Sequence, residues 1–170
     1  MGCPSHDFLA LTRGERASII LFTMKLYLDN CSLQRPLDSK TQTRIVLEAE
    51  AILGILTLLE SGQVALVSSE ALLFEIDHNP NTTRREYALE VLSKAKTFVT
   101  LSEQVEKRAR KFETLGIQPL DALHLASAEN AQADYFCTCD DRLFKRAKAI
   151  SGLRTKVISP VELIKELERW

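Results

Sequence analysis

The chain has 170 residues, 45% apolar and 26% charged, with a net charge of −1. That length suits one domain able to bury a core without covalent staples, and no apolar run approaches the 18 or more residues of a helical membrane span. Near-neutral charge excludes a generally basic nucleic-acid coat, so any cationic surface must be local.

Residues 1–23 read as an N-terminal extension. Thr12 and Glu15 have the spacing to cap a short helix ending in Ile19-Ile20-Leu21-Phe22, a run too short and wrongly flanked for a signal peptide. Met24 stands just before the first strand, which makes it an alternative start. A domain over 24–168 then alternates strand and helix. A strand at 25–29 leads to a turn holding Arg35-Pro36. A helix over 41–61 carries Ile45, Leu47, Ala49, Ile52, Leu53, Leu56 and Leu59 on a broad apolar face and stops at Gly62.

Val64-Ala65-Leu66-Val67 is a second strand, and Ser69 leads a helix carrying Glu70 and Glu75. Asn79-Pro80-Asn81 breaks the chain, and Thr83-x-x-Glu86 restarts a helix to about Ala95. A strand at 98–101, helices at 103–115 and 120–131, a strand at 134–138, a helix at 141–150 and a strand at 155–158 follow. Ser159-Pro160-Val161-Glu162 is a capping box opening the last helix. Such alternation predicts a mostly parallel sheet covered on both faces, a three-layer α/β/α sandwich.

The cysteines do not form a disulfide framework. Cys3 and Cys31 are isolated, and Cys137 and Cys139 fall on opposite faces of one strand. A reducing cytoplasm fits that usage, and zinc lacks a second ligand pair at the required spacing.

Acids at strand ends and helix starts are the chemical signal. Asp29 ends the first strand, Glu70 and Glu75 lie on the helix after the second, Asp121 opens a helix, and Asp140 and Asp141 follow Tyr135-Phe136-Cys137-Thr138-Cys139. In a parallel sheet such positions face one crevice beyond the carboxyl ends of the strands. Two carboxylates about 5 Å apart repel by roughly 3 kcal/mol at an effective dielectric near 20. A divalent cation or protonation relieves such a cluster, and oxygen donors favour Mg²⁺ or Mn²⁺ over zinc. Four of these acids also have a purely structural reading. Asp29, Asp121 and Asp141 suit helix caps, and Glu70 suits a helix dipole.

The order Leu28-Asp29-Asn30, Phe74-Glu75, Pro119-x-Asp121-Ala122-Leu123-His124-Leu125-Ala126 and Tyr135-Phe136-x-Thr138-x-Asp140 resembles the PIN domain family, which includes VapC-type toxins. The resemblance runs from about Met24 to Lys165. It implies a PIN-like fold and a metal site of Asp29, Glu75, Asp121 and Asp140, selecting Glu75 over Glu70 and Asp140 over Asp141. Asn30 (or Ser32), Thr138 and Asp141 become auxiliary residues. The family commonly has Thr or Ser after its first Asp, where Asn30 stands here, so the orienting hydrogen bond has no fixed donor.

The implied activity is Mg²⁺- or Mn²⁺-dependent hydrolysis of single-stranded RNA, leaving 5′-phosphate and 3′-hydroxyl ends. Arg142, Lys145 and Arg146 would rim the pocket against the RNA backbone, with Lys107, Arg108, Arg110 and Lys111 as a second basic patch. The resemblance further implies an antitoxin partner and a homodimer as possible assemblies. A PIN-like binding module with weak or no cleavage is the alternative. A phosphoryl-aspartate enzyme or receiver fits less well, because Cys31 occupies the place of the second Asp that a dehalogenase-type phosphatase needs. His124, within an apolar helix, reads as a packed histidine.

Overall fold

The computed structural model describes residues 23–169, so the helix expected around Thr12 lies outside the described residues. Five strands form one sheet: β1 (Met24–Leu28), β2 (Val64–Ser69), β3 (Thr97–Val99), β4 (Tyr135–Cys137) and β5 (Lys156–Ile158). All pair in parallel, in the order β3-β2-β1-β4-β5. The expected mostly parallel sheet is thus wholly parallel among the described residues. Its central strands are mostly apolar because helices cover both faces, and all six residues of β2 are buried.

The helices are α1 (Asn30–Leu33), α2 (Thr43–Glu60), α3 (Glu70–Asp77), α4 (Thr82–Ser93), α5 (Glu103–Thr114), α6 (Pro119–Asn130), α7 (Asp141–Lys148) and α8 (Pro160–Leu167). Helix α2 packs on α8, while α5 packs on α6 and α3 on α4 and α6, giving an α/β/α sandwich. Gly54 sets the first contact: a Cβ there would stand 3.3 Å from Ile164 Cδ1, so a bare backbone lets α8 approach closely.

Three local departures from the expected pattern have physical causes. The turn after β1 contains α1 and a 3₁₀ turn, Arg35–Leu37, both too short to show a period. Helix α4 is capped by Asn81, whose side chain accepts from Arg84 N, two residues ahead of the Thr83 box. Helix α2 buries Glu48, Ala49, Ala51, Ile52 and Ile55, whereas Leu47 and Leu53 are 55% and 44% exposed. At 100° per residue those two leucines flank the stripe that faces the sheet. The capping box at Ser159 and Glu162 forms as expected, and so does the left-handed Gly62 (φ 75°) after α2.

Candidate active site

The strand order reverses about β1, whose neighbours are β2 on one side and β4 on the other. Beyond the carboxyl ends of β1 and β4 lies the switch point, where parallel sheets open a crevice. Asp29 follows β1 there, with its amide on Cys137 O of β4 at 3.1 Å. It caps α1 by accepting from Ser32 N at 2.9 Å, and Cys31 Sγ donates to both of its carboxylate oxygens at 3.0 and 3.1 Å. Burial pushes the Asp29 carboxyl upward against the opposing hydrogen bonds of Thr138, Cys31 and Ser32.

Asp140 caps α7, accepting from Arg142 N at 2.7 Å and Leu143 N at 3.0 Å. Thr138, buried at the end of β4, accepts from Asp140 N at 3.0 Å. Asp121 stands in the first turn of α6, where Gln118, not Asp121, occupies the cap position. Its carboxyl is raised to about 6, first by burial and then by the charges of Asp140, Asp29 and Glu75, with His124 opposing. All three other acids act on Asp121, so the four form one electrostatic group. They are not a closed cage: among the described residues, no three acidic, histidine or cysteine side chains stand in metal-ligand geometry.

Glu75 enters from α3, and its Oε2 meets His124 Nε2 at 2.8 Å. Burial works to raise this carboxyl, but His124 and Asn30 outweigh it and hold it low. Asn30 also accepts from Gln34 Nε2 at 2.7 Å. Glu70 is engaged elsewhere, accepting the Leu101 amide at 2.5 Å. Asp141 turns away from the crevice and pairs with Arg44, at 2.5 and 2.8 Å. That exposed ion pair bridges residues 97 positions apart.

The basic residues divide likewise. Arg142 and Arg146 line a 90 Å³ cavity with Asp121, Asp140, Gln118, Ile117 and Leu143, and Arg146 Nη1 also donates to Gly116 O. Lys145 is exposed on α7 outside that lining. In the second patch, Arg108 is tied to Glu129 at 2.6 Å and so is a structural residue.

Sequence reasoning missed a buried polar chain beneath the acids. Tyr27 Oη lies 2.7 Å from Ser69 Oγ and 2.8 Å from His124 Nδ1. Burial drives the Tyr27 hydroxyl strongly upward, so it stays protonated. The available signal was a tyrosine inside an aliphatic strand, since a buried hydroxyl needs a partner.

Comparison with known proteins identifies the architecture. The model of the PIN domain matches residues 34–150. The chain belongs to the PIN domain family. Members of that family are generally nucleases. Among solved structures, this PIN domain is similar to a chain of VapBC2 from Rickettsia felis, crystallised bound to a DNA fragment from their promoter. The two share 15% identity at a TM-score of 0.51, over 80% of this chain and 98% of that one. PAE2754 from Pyrobaculum aerophilum is similar at 15% identity and a TM-score of 0.50, over 88% and 99%. At that identity the likeness is one of fold. No curated protein sequence matches.

The raised carboxyl of Asp121 has a consequence for stability. Its folded value, about 6, lies above the ordinary 3.8, so folding takes up a proton between these values. The stabilisation is full below 3.8 and is lost as pH rises through about 6. Without divalent cations, Asp121→Asn should therefore gain in melting temperature over wild type between about pH 4 and pH 7. A difference that stays flat across that range would place Asp121 outside the acidic group.

Proposed function

We propose that the chain is a divalent-metal-dependent ribonuclease that hydrolyses phosphodiester bonds in single-stranded RNA, as the toxin of a toxin–antitoxin pair. The observation that carries this reading is the convergence of four carboxylates at the switch point, where burial first, and then the charges of Asp140, Asp29 and Glu75, raise the carboxyl of Asp121. Such a group fits a hard divalent cation by its all-oxygen donor chemistry. Asp29, Asp121 and Asp140 would hold Mg²⁺ or Mn²⁺, with Glu75 completing the set. A cation bound there supplies charge neutralisation at the scissile phosphate and makes water a competent nucleophile near neutral pH.

The chain's own residues do the rest. Arg142 and Arg146, beside Asp121 and Asp140, draw a phosphate towards a pocket that would otherwise repel it. Asp140 and Asp29 are held by backbone amides, which fixes their carboxylates before RNA arrives. Hydrolysis of this type leaves a 5′-phosphate and a 3′-hydroxyl. The likeness in fold to a VapBC2 chain supports an antitoxin partner for the same groove and, as an assembly to test, a homodimer.

The test is cleavage of end-labelled single-stranded RNA with Mn²⁺, comparing wild type, wild type with EDTA, and Asp121→Asn. Cleavage in the first lane alone, with 5′-phosphate ends, is the expected result. Equal cleavage by wild type and Asp121→Asn would overturn the site, and absence of both cleavage and Mn²⁺ binding would favour a PIN-like binding module. Arg142→Glu should raise KM more than it lowers kcat and flatten the salt dependence of binding. An unchanged salt slope would remove Arg142 from the RNA path.

A further inference from the structure

We infer that His124 is a positioning residue for Glu75, held in one tautomer by Tyr27 and Ser69; this rests on the reading of the acids as a metal site. Four elements meet in this chain of hydrogen bonds. Ser69, at the end of β2, accepts the Leu72 amide at 3.2 Å and so caps α3, the helix that carries Glu75. Its hydroxyl stands 2.7 Å from Tyr27 Oη on β1, which stands 2.8 Å from His124 Nδ1 on α6. His124 Nε2 completes the chain at Glu75 Oε2, 2.8 Å away.

The direction of the bonds follows from the two ends. A carboxylate only accepts, so the ring nitrogen facing Glu75 must carry the hydrogen. In neutral imidazole that leaves Nδ1 as an acceptor, and its one neighbour able to donate is the Tyr27 hydroxyl. Tyr27 in turn receives from the Ser69 hydroxyl, whose oxygen still has a lone pair for Leu72 N. Every polar atom of the chain is then satisfied with no hydrogen to spare, and the ring is fixed in both rotation and tautomer.

His124 is 2% exposed, while the Glu75 side chain is 32% exposed. An anchored ring at a partly exposed carboxylate holds its Oε2, with Asn30 as a second hydrogen-bond partner of Glu75. Asp121 lies three positions before His124 and so shares its face of α6. The helix thereby supplies one acid directly and sets the orientation of another through its histidine.

The experiment is Mn²⁺ titration by calorimetry of wild type, His124→Leu, His124→Gln and Tyr27→Phe, together with two-bond ¹H–¹⁵N spectra of the His124 ring. Removing a hydrogen-bond partner of a ligand typically weakens metal binding about 10- to 100-fold, and that loss is expected for His124→Leu. His124→Gln, whose amide still donates to Glu75, should recover most of the affinity, a rescue that a packing role would not give. Wild type should show the Nε2-protonated tautomer, and Tyr27→Phe, which keeps the Glu75 contact but leaves Nδ1 without a donor, should bind Mn²⁺ more weakly. An Nδ1-protonated ring in wild type, or a folded His124→Leu with unchanged affinity, would overturn the inference while leaving the metal site intact. Absence of Mn²⁺ binding by wild type would overturn the metal reading itself. Should His124→Leu fail to fold, the ring spectrum of wild type and the Mn²⁺ affinity of Tyr27→Phe still decide the matter.

Discussion

Asp29→Asn is expected to lower RNA cleavage about 10²- to 10³-fold while raising the melting temperature of the metal-free protein. The first effect follows from the several kcal/mol that a correctly held cation contributes in such reactions, at about 1.4 kcal/mol per tenfold in rate. The second follows from burial. Asp29 is 5% exposed and its carboxyl is pushed upward by loss of water, so its ionised form costs the fold free energy at neutral pH. Asparagine keeps an oxygen for the Ser32 amide and remains a good cap, while it gives up one of the two acceptor oxygens facing Cys31 Sγ. Scanning calorimetry with and without Mn²⁺ checks this directly: cation should stabilise wild type and leave the variant unmoved. A variant that melts lower without metal would mean that the hydrogen bonds of Cys31 and Thr138 outweigh the cost of the buried charge.

Arg108→Ala should cause the largest loss of stability away from the crevice, about 3 kcal/mol, near the lower end for a broken buried ion pair because the arginine is partly exposed. Glu129 on α6 has a fully buried side chain. It accepts from Arg108 Nε at 2.6 Å and Nη2 at 3.0 Å, and from the Arg154 amide at 2.8 Å. Burial works to raise its carboxyl, and the two arginines outweigh that and hold it low. The stabilisation is therefore present above the ordinary value of 4.5 and is lost as pH falls through the lower folded value. The deficit of Arg108→Ala should accordingly shrink in acid. At about 2–4 °C per kcal/mol for a domain of this size, the melting temperature falls by roughly 6–12 °C at neutral pH. Adding Glu129→Gln should restore part of the loss by removing the stranded charge. A double variant as unstable as the single one would show that the loss comes from packing of Arg108 over Phe112, 4.4 Å away.

The acids and the sheet were legible in the sequence for the same reason. Parallel strands buried on both faces read as continuous apolar runs, and an acid that ends such a run is conspicuous. Asp29 and Asp140 stand out on that ground, and Glu75 and Asp121 through the resemblance of their helices to the family pattern. What could not be read depends on partners distant in the chain. Arg44 takes up Asp141 from 97 positions away, and nothing near Asp141 announces it. His124 had the signature of a packed histidine, which its burial matches, yet its two nitrogens face Tyr27 and Glu75. The turn after β1 was too short for any period to emerge, so the cap at Asp29 was one option among several until the turn closed into α1.

The pairing of β1 with β4 brings together residues as far apart as Leu26 and Tyr135. Closing so long a loop adds little to the equilibrium cost, which grows only with the logarithm of length, but it delays the step in time. A ribosome will have made most of the chain before β4 can take its place beside β1. Until then Asp29 and Glu75 are present, but Asp140 and the cavity beside Arg142 are not. A nascent chain therefore holds an incomplete group of acids until the last third of the molecule has been made.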